Sequence, residues 1–264
     1  MAVAGSQHIL VKAVGSTLVA LLVLPIVVLI GVSLNAGVEQ VFPPRGLSLR
    51  WYENLANRQG FVDAARLTLA LAAGSALVSV LVSLAAGVAI TRFRFWGRDL
   101  VLTLLLSPLI VPQVVVGMAF LVTLSALGVF SSVISLSILH VIITLPFAVR
   151  VVVAALQSQP LSAEQAAQSL GASPLRAFFG ITVPQIAPGL ITAAVFAFVT
   201  SFENFTASQF LVWDRTTLPI AIYTSVQTEN DPTAAALSSI IVFVVIFFIA
   251  VFNRFMTRHM LAGR

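Results

Sequence analysis

Long uncharged apolar runs alternate with short polar interruptions along this chain, and the lengths of the runs are its most informative feature. Residues 14–34 carry no charge, enough chain at 1.5 Å per residue to cross a hydrocarbon core of ~30 Å. A first membrane span is expected at about 12–34. The residues before it look a little like the basic end of a signal peptide, but the apolar run exceeds the ~7–15 residues of such a segment. Residues 35–66 are polar and contain Pro43-Pro44 and Trp51-Tyr52, which predicts an extramembrane loop with an interfacial aromatic anchor and a short surface helix.

A second span is expected at 67–90. Within it Ser75, Ser79, Ser83 and Gly87 recur every four residues, placing small side chains on one face and predicting close helix–helix contact. Residues 100–149 are again uncharged, and one helix of that length would run about 75 Å, far beyond one bilayer. The run must turn back, and 128–132 is the only turn-like cluster near its middle, giving spans at 100–127 and 132–156. Pro108 and Pro112, one turn apart, should kink the earlier of these. A fifth span is expected at 184–211, carrying Glu203 and Asn204. Asp231-Pro232 reads as an N-cap and first-turn proline opening a sixth span at 233–252.

Composition agrees: 59% of residues are hydrophobic and 9% charged, so water is not the main solvent. The expected fold is an all-α integral membrane protein with six transmembrane helices, a single domain over residues 1–264. The net charge of +5 comes from residues flanking apolar spans, not from a basic aromatic patch, so nucleic acid is rejected as a partner and the lipid bilayer stands in its place. Lys12, Arg92, Arg94, Arg98, Arg150, Arg176, Arg254, Arg258 and Arg264 fall on the side of the termini, against Arg45, Arg50, Arg58, Arg66 and Arg215 on the other. This bias places both termini and the 157–180 loop in the cytoplasm. Cysteine is absent, and His8, His140 and His259 form no metal-ligand pattern. Lys12, the single lysine, is followed by Ala, so no Gly-Lys-Ser/Thr phosphate loop exists and any ATP must be bound by a partner.

The longest polar interruption of the second half is the loop 157–180. Ser162 and the early Glu164 suit the start of a short helix, and Gly171 its left-handed end. Ser173-Pro174 then restarts a helix. In this stretch Ala166, Ala167, Gly171, Ile181 and Pro184 resemble the EAA motif of ABC importer permease subunits. The family's Glu falls on Gln165, with Glu164 one residue earlier, and its Leu on Val183. The resemblance implies a type I ABC importer permease in a bacterial cytoplasmic (inner) membrane. It also implies that Glu164, Gln165, Ala166, Ala167, Gly171, Ala172 and Pro174 couple the chain to an ATPase subunit that holds ATP and Mg. A second homologous permease and an extracytoplasmic solute-binding protein complete the implied assembly, which moves solute by alternating access.

Further stretches around Pro112-Gln113, His140, Pro146, Glu203-Asn204 and Pro219 look like the second permease of spermidine/putrescine importers. Carriers of that branch show acids where this chain has Gln113, Glu203 and Asn204, and these three are the candidate substrate-pathway residues. A cation wants carboxylates and two of the three are amides; a polyamine still stands first among solutes, with a cationic or zwitterionic opine, an amino-acid derivative or another small polar solute beside it. A secondary carrier would need inverted repeats and several intramembrane ionisable groups, and neither is visible. No His pair, Ser–His set or carboxylate pair within one span suggests a membrane enzyme.

Overall fold

The computed structural model describes the backbone of residues 2–229 and 232–262, with side chains at 11–55, 57–229, 232–247 and 254. Among these residues all regular structure is helical. The chain forms two compact units, residues 63–221 and the pair 1–62 with 222–264.

In the second of these units, which also holds most of α10 (Leu218–Thr228), α1 (Ala2–Ser33) and α11 (Thr233–Ala262) pack together beside the short α2 (Arg50–Ala56). Trp51 and Tyr52 are not the interfacial anchor that the sequence suggested. Trp51 is buried, with its Nε1–H donating to the Asn35 carbonyl at 2.7 Å. The Tyr52 hydroxyl sits between Ser33 (2.7 Å) and Ser239 (2.8 Å). Both polar tips find partners inside the unit, so neither needs a wet interface. Arg58 pairs with Glu229, which also accepts from the Ser225 hydroxyl.

The larger unit holds α4 (Arg98–Leu106), α5 (Gln113–Ala126), α6 (Ser132–Gln157), α7 (Ser162–Ser169), α8 (Pro174–Ala177) and α9 (Val183–Phe202), with most of α3 (Gln59–Arg92). The main contact is α6 against α9. A Cβ on Gly189 would lie 2.6 Å from that of Ala155, so the two helices cross at glycine distance. Ala148, Val152, Leu156, Ile186 and Ala193 fill this seam. The small-residue face of α3 lies against α6 as expected: Ser79 bonds the Thr144 hydroxyl at 2.8 Å, and Gly87 abuts Val152 and Leu156.

Among the described residues four helices are long and apolar enough to cross a membrane: Val11–Ser33, Gln59–Arg92, Ser132–Gln157 and Pro174–Phe202. Arg98–Leu109 with Gln113–Ala126 makes a fifth if counted as one span, bent by 101°. The sixth expected span lies in α11, whose described apolar part is Thr233–Phe247. Several boundaries differ from the sequence reading, beginning with α3, which starts at Gln59 inside the stretch expected to be loop and not at 67. The expected kink at 100–127 is a full break, because Val111 precedes a proline, which disfavours helix, and Pro112 is extended at φ −56°, ψ 132°. The helix expected at 184–211 ends at Phe202, where the Asn204 side chain takes over the Ser208 N–H and closes a turn. At its other end this helix reaches back without interruption to Pro174, through a π-turn at Phe178–Thr182. Asp231, read as an N-cap, lies outside the described residues; α11 opens at Thr233, one residue after Pro232.

Candidate functional site

The 157–180 segment is built as helix, tight turn, helix. Leu161 rather than Ser162 caps α7: it is already in the helical region and its carbonyl accepts from Gln165 N–H at 2.9 Å, leaving the Ser162 hydroxyl uncommitted to the cap. The C-terminus follows the sequence reading. Gly171 has φ +92°, its N–H donates to Gln168 O, and Ala172 N–H donates to Ala167 O, both at 3.0 Å. This pair of bonds closes the helix end, and the positive φ is why glycine stands there. Ser173 caps α8, its hydroxyl accepting from Arg176 N–H at 3.3 Å, ahead of Pro174.

The turn presents an apolar surface. Leu170 is 90% exposed, Leu175 71% and Phe179 61%. Gln165, Ala166, Gly171 and Pro174 are exposed, and Ala167 and Ala172 half-buried. Glu164 alone among the motif residues faces inward, at 8% exposure. Arg92, the last residue of α3, donates to its Oε2 at 2.5 Å, and the Thr182 hydroxyl donates to the same oxygen at 2.5 Å. Burial pushes this carboxyl up, but the hydrogen bonds from Arg92 and Thr182 and the Arg92 charge outweigh it, holding Glu164 below the ordinary carboxylate value.

Two of the three pathway candidates, Gln113 and Asn204, meet at the break between α4 and α5, and Glu203 adjoins them only along the chain. Gln113 opens α5 and is exposed; its Oε1 accepts from Asn204 Nδ2 at 3.0 Å. Asn204 is buried rather than open to a cavity, its Oδ1 taking the Ser208 N–H (3.2 Å) and hydroxyl (2.7 Å). Glu203 is exposed at the C-terminal cap of α9 and has no side-chain partner among the described residues. A carboxylate there opposes the negative end of the helix dipole, so α9 itself does not favour it.

Sequence reasoning missed His140 in this group. It is buried on α6 between the hydroxyls of Ser201 (2.6 Å) and Ser208 (3.0 Å), extending the network from Gln113 and Asn204 into the core. The Ser–His contact is not a nucleophile set: all three residues are buried, and no carboxylate bonds the ring among the described residues. Gly117 faces the same turn, where a Cβ would come within 2.6 Å of the Ala207 carbonyl oxygen. On α6, Ser132 Oγ accepts the N–H groups of Trp213, Asp214 and Arg215, while Ser132 N–H donates to Asp214 at 2.9 Å. That backbone bond lowers the Asp214 carboxyl below its ordinary value. No group of three His, Cys, Asp or Glu poised for a metal occurs among the described residues.

Residues 79–261 match the family described as binding-protein-dependent transport system inner membrane component, and the chain belongs to it. It is 30% identical over 204 residues to the putrescine transport system permease protein PotI of Escherichia coli K12, covering 74% of this chain and 73% of that one. It is also 30% identical over 226 residues to the spermidine/putrescine transport system permease protein PotC of the same organism, covering 84% of each. A bacterial ABC transporter importing the acidic polysaccharide alginate has a chain of the same fold, with a TM-score of 0.70, 14% identity and 95% coverage of both chains. The chain is therefore an ABC importer permease subunit, a membrane component without an ATP site of its own.

Proposed function

We propose that this permease carries a small cationic solute, a polyamine such as putrescine or spermidine, across the inner membrane, in a complex with ATPase subunits, a second permease and a solute-binding protein. Six crossings form one permease domain, with both termini and the α7–α8 turn on the cytoplasmic side. The observation that carries the coupling part of this reading is the exposed apolar patch of Leu170 on the polar turn with Leu175 and Phe179 in the first turns of the Pro174–Phe202 helix that follows it. Such a patch in water is a protein contact, and an ATPase subunit is the partner that a chain without its own phosphate loop needs. ATP and Mg are held by that subunit. Gln165, Ala166, Ala167, Gly171, Ala172 and Pro174 shape the contact, while Glu164 supports it from behind.

The polyamine part is supported by the putrescine and spermidine in the relatives' names and by the exposed Glu203, next in the chain to Asn204 of the Gln113–Asn204 pair. Those two amides favour the alternative of a zwitterionic or neutral polar solute such as an opine or amino-acid derivative. Purification of the tagged chain from its own cells tests the assembly: ATP-hydrolysing subunits should accompany it and be lost on Leu170→Asp. Their absence from the unaltered preparation would overturn the coupling reading.

A further inference from the structure

We propose that Glu164, Arg92 and Thr182 form a clamp that makes the α7 turn, the end of α3 and the start of the α9 helix move as one body. This inference rests on the coupling role proposed above for α7. Three elements distant in sequence meet on one carboxylate oxygen. Arg92 Nη1–H and the Thr182 hydroxyl each donate to Glu164 Oε2 at 2.5 Å, and Arg92 Nη2–H donates to Thr182 Oγ1 at 3.3 Å. The donors balance: threonine gives its one proton to the carboxylate and accepts from the guanidinium. The Arg92 guanidinium also lies 5.5 Å from the Phe178 ring centre, so the first and last residues of the π-turn both hold it. Side-chain exposure is 16% for Arg92 and 10% for Glu164, so the ion pair is largely out of water. A buried pair strongly resists losing one member, because the other charge is left unpaired.

α7 packs against α8 and the π-turn, and the Glu164 contact adds its tie to the end of α3. On its outer side α7 offers the exposed residues described above. A push on that outer face therefore reaches α3 and α9 through Glu164. The charge is placed where it anchors the turn inward, not where it would meet a partner. Glu164, Arg92 and Thr182 are accordingly positioning residues for coupling.

The chain has no cysteine, so two introduced cysteines are its only labelling sites. Nitroxides at Phe93→Cys and Gln168→Cys, both exposed, report the separation of the α3 end from α7 by pulsed electron resonance in the assembled complex. One narrow distance should appear both without nucleotide and with ATP trapped by vanadate. In Glu164→Gln or Thr182→Val that distance should broaden and become nucleotide-dependent, and uptake per ATP should fall at least ~5-fold, the lower end of typical energetic couplings. Thr182→Ser should behave as the unaltered chain. A clamp that only stabilised the fold would lower thermal stability without making the distance respond to nucleotide. The proposal is overturned if the unaltered distance changes on ATP binding, or if Glu164→Gln keeps a narrow, nucleotide-independent distance with ATPase subunits bound. If no ATPase subunit accompanies the unaltered chain, the coupling reading fails instead. The labelled permease alone then still tests the clamp, which is overturned by identical distances in the unaltered and Glu164→Gln chains.

Discussion

Asn204 and Gln113 stand 91 positions apart in sequence, and a 3.0 Å hydrogen bond ties the turn after α9 to the first residue of α5. The bond spans the place where both helices end, so neither terminus is set by local sequence alone. Asn204 does double duty there, since its carbonyl oxygen accepts both donors of Ser208. Ser208 in turn bonds His140, and the chain of contacts runs from an exposed amide to a buried ring.

Replacing Asn204 by Leu should therefore be costly and replacing it by Asp should not. Leucine leaves the buried Ser208 N–H without its acceptor, a loss of about 1–3 kcal/mol. Aspartate keeps both Ser208 bonds, and Gln113 can turn its amide nitrogen toward the new carboxylate. Thermal midpoints in detergent check this: a clear drop for Asn204→Leu and little change for Asn204→Asp. Equal drops would mean that the Gln113 contact fixes the turn, not the Ser208 pair.

The α6–α9 seam makes a prediction with an internal control. A Cβ at Gly189 meets that of Ala155 at 2.6 Å, while one at Gly180 meets nothing within 4 Å. Gly189→Val should destabilise by about 1–3 kcal/mol through overpacking, and Ala155→Gly in the same chain should recover much of it. Gly180→Ala should be near neutral. Recovery failing in the double variant, by thermal shift, would place the strain elsewhere than at residue 155.

The sequence made the helix ends at Gly128 and Gly171 legible, because a positive φ, +71° and +92° here, is a local demand that glycine alone meets cheaply. The small face of α3 was legible for a similar reason: a four-residue period needs no partner to be seen. The inward turn of Glu164 was not, since Arg92 and Thr182 lie 72 and 18 positions away and nothing near Glu164 names them. His140 was passed over as a lone histidine because its two serines come from a different part of the chain. Two prolines one turn apart signalled a disturbance at 108–112, but the 101° angle depends on what α4 and α5 each pack against. The Trp51-Tyr52 pair misled because an interfacial anchor and a buried bridge have the same composition.

The proposed orientation rests on charge bias and can be tested directly. A reporter active only in the cytoplasm should work when fused after Arg98 or Gly171, and be silent after Gln59 or Arg215. Activity after Arg215 would break the six-crossing arrangement, since it puts the two ends of the α9 helix on one side.

Glu164 should make stability depend on acid. Its folded pKa lies below the ordinary 4.5, so the ionised carboxylate's contribution is fully present above that value and is lost as pH falls through the depressed one. At neutral pH, Glu164→Gln should cost up to about 3 kcal/mol, as a largely buried pair losing one member does. The gap between the two proteins should stay level down to about pH 4.5 and then narrow, because the unaltered chain loses what the variant never had. Melting curves from neutral pH to about pH 3 check the sign. A gap that widens in acid would mean that Glu164 is protonated in the folded chain.

Glu203 bears most directly on the solute. It caps the C-terminal end of α9, where the helix dipole disfavours a negative charge by about 0.3–1 kcal/mol, and it has no side-chain partner among the described residues. Simple solvation would account for an exposed acid in that place, so its role has to be read from transport. If Glu203 meets a cation beside Gln113, the contact is a charge-assisted hydrogen bond of about 1.5–3 kcal/mol. Glu203→Gln should then raise the putrescine concentration needed for half-maximal uptake by about 10- to 100-fold, the same energy expressed as affinity. Assembly and basal ATP hydrolysis should stay unchanged, because the residue is exposed and its side chain has no hydrogen-bond partner among the described residues. Asp in its place should recover part of the affinity, since it keeps the charge on a shorter stem. Putrescine uptake at the unaltered rate and affinity in Glu203→Gln, with the complex intact, would remove Glu203 from the pathway and shift the case toward a solute that the Gln113 amide alone can greet.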